Sequence, residues 1–264
     1  MNFLETIIAH KREELADAKK SVLRAHLEDM PKFEYTRVSL HKALTDRDPA
    51  IIAEIKKASP SRNVITEQFD PLGIAREFVR SGASALSVLT DQKYFQGDIR
   101  FIERMRDFVS VPILRKDFIL ESYQLYEAKA YGADAVLLIA AVLERQEILD
   151  LAAEAVSIGL EVLAEVHNVD EIEMVESDSI HIVGINNRNL ETFETDITTS
   201  MRLRKYIPGD KVVVSESGIT TRNEIDQLRS HGIHAFLIGE QLMRAENPGK
   251  ALAALLEGTD GSQG

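Results

Sequence analysis

No cysteine occurs in the 264 residues of this chain. That excludes disulfides, thiolate nucleophiles and zinc or iron–sulfur sites built on thiolates, and it fits a cytoplasmic setting. Long apolar runs are missing too. Leu, Ile and Val are spread evenly, with no stretch of the about 18 residues that a membrane span needs, so no membrane association is expected. The opening Met1-Asn2-Phe3-Leu4-Glu5 carries a charge at once and lacks the apolar core of a secretory leader. Cations are the scarcer charge, 31 Lys plus Arg against 43 Asp plus Glu, for a net charge of −12. Phosphate backbones are held by clustered Lys and Arg, so this balance argues against a nucleic-acid partner; any anionic ligand must be held locally. Histidines do not form a two-His-plus-carboxylate group at any strand end, and no metal is implied. His167 alone falls near the candidate site, and its sequence context favours a surface or packing role.

What is present is a repeated pattern. Five short apolar runs each stop on an ionisable or amide side chain: Ile51-Ile52-Ala53-Glu54-Ile55-Lys56, Val111-Pro112-Ile113-Leu114-Arg115-Lys116, Leu160-Glu161-Val162-Leu163-Ala164-Glu165, Ile182-Val183-Gly184-Ile185-Asn186 and Val212-Val213-Val214-Ser215-Glu216. A strand covered on both faces reads as continuous Val, Ile and Leu. Burying a charge is costly unless partners or a ligand await it. Five such endings suggest an active site.

Runs of this kind predict eight strands, near 51–56, 85–90, 111–115, 134–139, 161–165, 182–186, 211–215 and 235–238. Between them lie helix-start signals: Asp70-Pro71, the capping pair Thr221 and Glu224, and Asn247-Pro248. Gly82, Gly132 and Gly232 each lead from a helical stretch into a strand, 50 and 100 residues apart. Those spacings are multiples of about 25 residues, the length of one βα unit. No Gly-x-Gly-x-x-Gly follows the first strand, which weakens an open dinucleotide-binding sheet. The expected fold is therefore α/β, a (β/α)8 TIM barrel over 49–257 within a single domain 1–264. Residues 1–48 read as an N-terminal helical extension, one long helix from Leu4 ending at Pro31 that could cover the barrel or the site, and 258–264 as a disordered tail.

Barrel active sites form where strands end, and side chains two apart on a strand share a face. Glu54 with Lys56, Lys116 with Phe118, and Asn186 with Arg188 therefore point the same way, bringing ammonium and carboxylate groups together with Glu165. Opposite charges about 4 Å apart attract by roughly 4 kcal/mol at an effective dielectric near 20, enough to keep them charged while shifting their proton affinities. Such a set can supply acid and base together. The connection 57–69 exceeds the usual βα loop and could close over a ligand. Ser217-Gly218 after the seventh strand and Gly239-Glu240 after the eighth suggest an anion site, where glycines admit backbone N–H groups. The Glu240 carboxylate would be uncomfortable beside an anion, so its N–H rather than its side chain would bind.

Five ordered phrases resemble indole-3-glycerol phosphate synthases: Ile52-Ala53-Glu54-Ile55-Lys56-Lys57-Ala58-Ser59-Pro60-Ser61, Leu89-Thr90-Asp91-Gln92-Lys93-Tyr94-Phe95-Gln96-Gly97, Leu114-Arg115-Lys116-Asp117-Phe118, Gly184-Ile185-Asn186-Asn187-Arg188-Asn189-Leu190 and Val214-Ser215-Glu216-Ser217-Gly218-Ile219. The resemblance implies a lyase of tryptophan biosynthesis that closes, decarboxylates and dehydrates 1-(2-carboxyphenylamino)-1-deoxyribulose 5-phosphate, with no cofactor and no obligate protein partner. It implies that Lys116 is the general acid, that Lys56 pairs with the substrate carboxylate, that Glu165 and Glu54 act as base and acid, and that Asn186 and Glu216 orient them, with Arg188 near the substrate. Ser59, Ser217, Gly218, Gly239 and Glu240 would hold the phosphate; Pro60, Phe95, Phe118, Leu137 and Leu190 would wall the aromatic ring. The residue pattern by itself leaves open a Schiff-base aldolase or lyase, or a sugar-phosphate isomerase, on the same barrel.

Overall fold

Each apolar run becomes a strand. In the computed structural model, which describes residues 3–59, 63–66, 69–190 and 192–258, the strands are β1 (Ala50–Ile55), β2 (Ala85–Leu89), β3 (Ile113–Lys116), β4 (Ala135–Ile139), β5 (Glu161–Val166), β6 (Ile182–Asn186), β7 (Val212–Glu216) and β8 (Ala235–Ile238). They pair in parallel and in sequence order, and β8 closes onto β1. This is a (β/α)8 barrel. Its strand bounds fall within two residues of those the apolar runs predict.

Alternation along the strands divides the core. Ile52, Leu114, Leu163, Val214 and Leu237 join one buried cluster, the barrel interior, while their neighbours Ile51, Ile113, Val162, Val213 and Phe236 join the larger cluster between strands and helices. Each such fully buried aliphatic side chain contributes about 1.5–3 kcal/mol of transfer free energy.

The helices after β1 are α4 (Pro71–Arg80), α5 (Gln92–Phe95), α6 (Arg100–Arg106), α7 (Ser122–Ala130), α8 (Arg145–Ser157), α9 (Val169–Met174), α10 (Thr198–Leu203), α11 (Arg222–Ser230), α12 (Glu240–Met243) and α13 (Pro248–Glu257). Asp70 and Asn247 cap α4 and α13, each ahead of a proline, and Thr221 with Glu224 forms the capping box of α11. The helix exits at Gly82, Gly132 and Gly232 have φ of 96°, 93° and 75°, a left-handed conformation that favours glycine.

The N-terminal extension serves both ends of the barrel. Helix α3 (Leu40–Thr45) inserts Leu40 and Leu44 into the inner cluster at the strand starts, and Glu161 there accepts from Ser39 Oγ and the His41 N–H. Helix α1 (Phe3–Ser21) lies at the opposite end, over the strand C-termini. The expected single helix to Pro31 is corrected: the chain breaks at Leu23, which is extended (φ −73°, ψ 148°), before a short α2 (Arg24–Glu28). The Tyr123 hydroxyl donates to the Val22 carbonyl at 3.1 Å and satisfies one terminal acceptor. The long connection 57–69 contains a short antiparallel pair, Ala58–Ser59 with Asn63–Val64; its residues 60–62, 67 and 68 lie outside the described residues, as does the expected tail beyond Gly258, which caps α13.

Candidate active site

The polar residues that close the apolar runs meet at the strand C-termini around a cavity of about 510 Å³. Lys116, the last residue of β3, extends its ammonium to 2.7 Å from Glu165 Oε2 of β5 and 3.5 Å from Glu216 Oε2 of β7. Asn186, at the end of β6, donates to Glu165 Oε1 at 3.1 Å, while its own Oδ1 accepts the Arg188 N–H. Glu54 of β1 pairs with Lys56, two residues on and on the same face, at 2.5 Å. Two ammonium groups, three carboxylates and one amide thus line one volume.

Burial and charge pull these groups in different directions. Burial would lower the Lys116 pKa, but Glu165, Glu216 and Glu54 together raise it above the ordinary ammonium value. Burial likewise works to raise Glu165; Lys116 first and His167 second hold it below the usual carboxylate range. Glu216 goes the other way. Burial, with Glu165 and Glu54 adding to it, pushes its carboxyl from 4.5 up to about 8 against the pull of Lys116. The two neighbouring carboxyls are thus pushed in opposite directions by burial and by Lys116. Glu216 Oε1 has no hydrogen-bond partner among the described residues, and it is fully buried.

Two glycines make room for these carboxylates. A Cβ at Gly184 would lie 2.0 Å from Glu216 Oε1, and one at Gly239 would lie 2.5 Å from Glu54 Oε1. At the side of the mouth formed by the last two units, Ser217 and Gly218 adopt φ of 67° and 79°. A serine there is strained by about 1–3 kcal/mol, and such strain clusters at ligand sites. Gly239 precedes α12, and Arg188 Nη2 and Arg244 Nη1 approach Glu240 at 3.4 and 3.5 Å. The carboxylate of Glu240 is thereby occupied by guanidinium groups.

The apolar wall is formed by Phe95 and Phe118, with ring centroids 6.2 Å apart, together with Leu137 and Leu190. Every residue that the sequence nominated lines this cavity, including Ser59, except Pro60, which lies outside the described residues. Sequence reasoning missed others. Phe3, Leu4 and Ile7 of α1 also line the cavity, as do Asp91 and Asp117. His167 does not line the cavity but packs behind it: its Nε2 lies 3.5 Å from Glu165 Oε1, its Nδ1 3.0 Å from Glu171, and hydrogen bonding to Glu171 with the charge of Glu165 raises its pKa against the effect of burial. The two-residue rule that paired Glu54 with Lys56 would have found its approach to Glu165, since His167 stands two places beyond Glu165. Among the described residues no group of three or more His, Asp or Glu is arranged to hold a metal.

Ionisable groups converging at the C-terminal end of a closed (β/α)8 barrel define an enzyme of that architecture. Comparison with known proteins gives the family. The profile of the indole-3-glycerol phosphate synthase family matches residues 4–255. Proteins named indole-3-glycerol phosphate synthase from Burkholderia cenocepacia (strain HI2424) and Burkholderia orbicola (strain MC0-3) are each 47% identical over 260 residues, covering 96% of this chain and 98% of their own. The chain belongs to the indole-3-glycerol phosphate synthase family. Solved structures share the fold at low identity. A 3-hexulose-6-phosphate synthase from Salmonella typhimurium has a TM-score of 0.62 at 11% identity, covering 80% of this chain and 100% of that one. A tryptophan synthase complex from Pyrococcus furiosus includes a chain with a TM-score of 0.58 at 14% identity, covering 80% and 97%.

Proposed function

We propose that this chain converts 1-(2-carboxyphenylamino)-1-deoxyribulose 5-phosphate into indole-3-glycerol phosphate, carbon dioxide and water, with its own side chains as the acids and bases. The single observation that carries this reading is the Lys116 ammonium, 2.7 Å from Glu165 and 3.5 Å from Glu216 in one cavity. Lys116 donates a proton to the substrate carbonyl oxygen as the ring carbon bearing the carboxylate attacks the carbonyl carbon. Carbon dioxide then leaves, and its bonding electrons restore the aromatic ring. Loss of water follows: an acid protonates the departing hydroxyl and a base removes the proton on the carbon beside the nitrogen. Glu165 and Glu54 share those transfers, and Asn186 and Glu216 hold the groups in register.

The ligand has a carboxylate, an aromatic ring and a phosphate, and the cavity offers a match for each. Lys56 faces the carboxylate; Phe95, Phe118, Leu137, Leu190 and Pro60 wall the ring; Ser59, Ser217, Gly218, Gly239 and the Glu240 N–H hold the phosphate, with Arg188 beside it. A Schiff-base lyase would need a neutral amine nucleophile; the raised pKa of Lys116 opposes that alternative. No helix among the described residues is long and apolar enough to cross a membrane. A cytoplasmic setting, a phosphorylated small molecule as the one partner, and residues 1–48 acting as one unit with the 49–257 barrel belong to the same proposal. Mixing the purified protein with the anilino-deoxyribulose phosphate tests it. Growth of indole absorbance and fluorescence is expected, and a silent mixture would remove the reading.

A further inference from the structure

A second buried lysine lies outside the set that handles substrate. Lys11 falls on the buried face of α1, four residues from Ile7 and four from Leu15, and is only 1% exposed. Its ammonium lies 2.9 Å from Asp91 Oδ2, 3.0 Å from Asp117 Oδ1 and 3.1 Å from Glu14 Oε2. Asp117 follows Lys116 directly. Successive strand residues face opposite ways, so Lys116 enters the barrel mouth while Asp117 turns outward beneath α1. There Asp117 also accepts from Thr90 Oγ1 at 2.6 Å, Arg115 Nη2 at 3.1 Å and the Phe118 N–H at 2.8 Å. Asp91 caps α5 by accepting from the Tyr94 N–H at 2.8 Å, and α5 carries Phe95.

One ammonium is therefore shared by the helix that roofs the cavity and by both connections that carry its aromatic wall. A residue of similar volume without charge would pack α1 at least as well, because desolvating an ion offsets much of its attraction. An apolar residue would not fix where α1 sits along those two connections; a charge that must meet two separate carboxylates does.

We infer that Lys11 is a positioning residue for the reaction: it pins α1 so that Phe3, Leu4 and Ile7 close the cavity over the substrate, and it sets Phe95 and Phe118 through Asp91 and Asp117. This rests on the activity proposed above.

The test uses the full chain and the double variant Lys11→Met with Asp91→Asn. It removes one charge of each sign, leaves Asp117 paired with Arg115, and keeps a capping oxygen on α5, since asparagine caps as well as aspartate. Two readouts are taken. Cleavage by an arginine-specific protease at Arg12 on α1 needs local opening of the helix, and it is expected to speed up about tenfold or more in the variant. KM for the anilino-deoxyribulose phosphate is expected to rise about tenfold, with kcat within about threefold of the parent, the signature of lost binding that is uniform along the reaction. Cleavage at the parental rate overturns the pin, whatever the substrate proves to be. Faster cleavage with parental KM also overturns the inference, because α1 would then be a structural cover alone. A parent protein with no turnover would count against the proposed activity, and the protease arm would still judge the pin. Should the double variant fail to fold, Asp91→Asn alone is read in its place. It is expected to show smaller shifts of the same sign, and the parental values in both readouts would overturn the inference.

Discussion

Lys11 and Lys116 are both lysines placed among carboxylates, and both have their pKa raised despite burial. What differs is how one carboxylate in each group, Asp117 and Glu216, is partnered. Around Lys11, Asp117 accepts from a hydroxyl, a guanidinium and a backbone N–H; burial works to raise its pKa, but Lys11 and Arg115 hold it below the usual carboxylate range. Around Lys116 a carboxylate oxygen of Glu216 has no partner, the Glu216 carboxyl is pushed up, and the whole group borders open volume. In the first arrangement Lys11 itself is only 1% exposed and bonds to three carboxylates, so it serves to hold parts together. The second leaves a Glu216 oxygen without a hydrogen-bond partner beside the cavity. Groups of the same residue types therefore differ in how their carboxylates are partnered, and the proton affinities follow from that.

Replacing Lys116 should break the contrast most sharply. Lys116→Ala is expected to lower turnover on the order of 10²–10⁴-fold. Its melting temperature is expected to fall as well, because Glu165 and Glu216, 3% and 2% exposed, lose their cation. A near-parental rate in a steady-state assay would remove Lys116 as the acid. Next in size is Gly184→Ala. The added Cβ would fall 2.0 Å from Glu216 Oε1 and 2.8 Å from Leu163 Cδ2, so the carboxylate must move. Displacement of about 1 Å in a reacting group can cost on the order of 10²-fold, and overpacking costs about 1–3 kcal/mol. Kinetics and a melting curve on the same sample check both parts.

Much of this was legible in the chain. Strands buried on both faces leave continuous Val, Ile and Leu, and the groups that end them stand out because nothing apolar explains a buried Glu165 or Lys116. Two features were harder to read. The apolar spacing of α1 runs on through Val22 and Leu23, yet the helix stops there beside a tyrosine hydroxyl supplied from α7. Lys11 left a signal, a charge on an apolar stripe, but its partners Asp91 and Asp117 come from two distant strand ends. Only the closed barrel brings them together, so no local pattern names them.

Acidity offers a finer probe of the unsatisfied cluster. Between about 4.5 and 8 the folded chain keeps a proton on Glu216 that the unfolded chain has released, so this group lowers stability as pH rises through that window. Glu165 acts oppositely: its lowered pKa stabilises the fold above its ordinary 4.5, and that contribution is lost as pH falls. Glu216→Gln keeps a neutral, similarly shaped side chain at every pH. Its melting temperature should match the parent near pH 4.5 and exceed it by a few degrees at pH 8, where the scale is about 2–4 °C per kcal/mol. A difference that stays flat across the window would show that Glu216 is not held neutral by its surroundings.

The smallest expected effect concerns a second tether of the same helix. Lys19 of α1 pairs with Glu121 at the start of α7, with both side chains about two-fifths exposed, at 43% and 38%. Solvent screens such a pair and side-chain entropy offsets it, leaving about 0–1 kcal/mol. Lys19→Ala should therefore shift the melting temperature by only a degree or two and leave KM at the parental value. Set beside the Lys11 variant, it asks whether α1 is held by charge in general or by one desolvated charge. If Lys19→Ala raised KM as much as loss of the Lys11 contact, docking of the helix would depend on its whole charged surface, and the burial of Lys11 would lose its special standing. A silent Lys19→Ala beside a responsive Lys11 would locate the coupling at the one ammonium that two strand ends share.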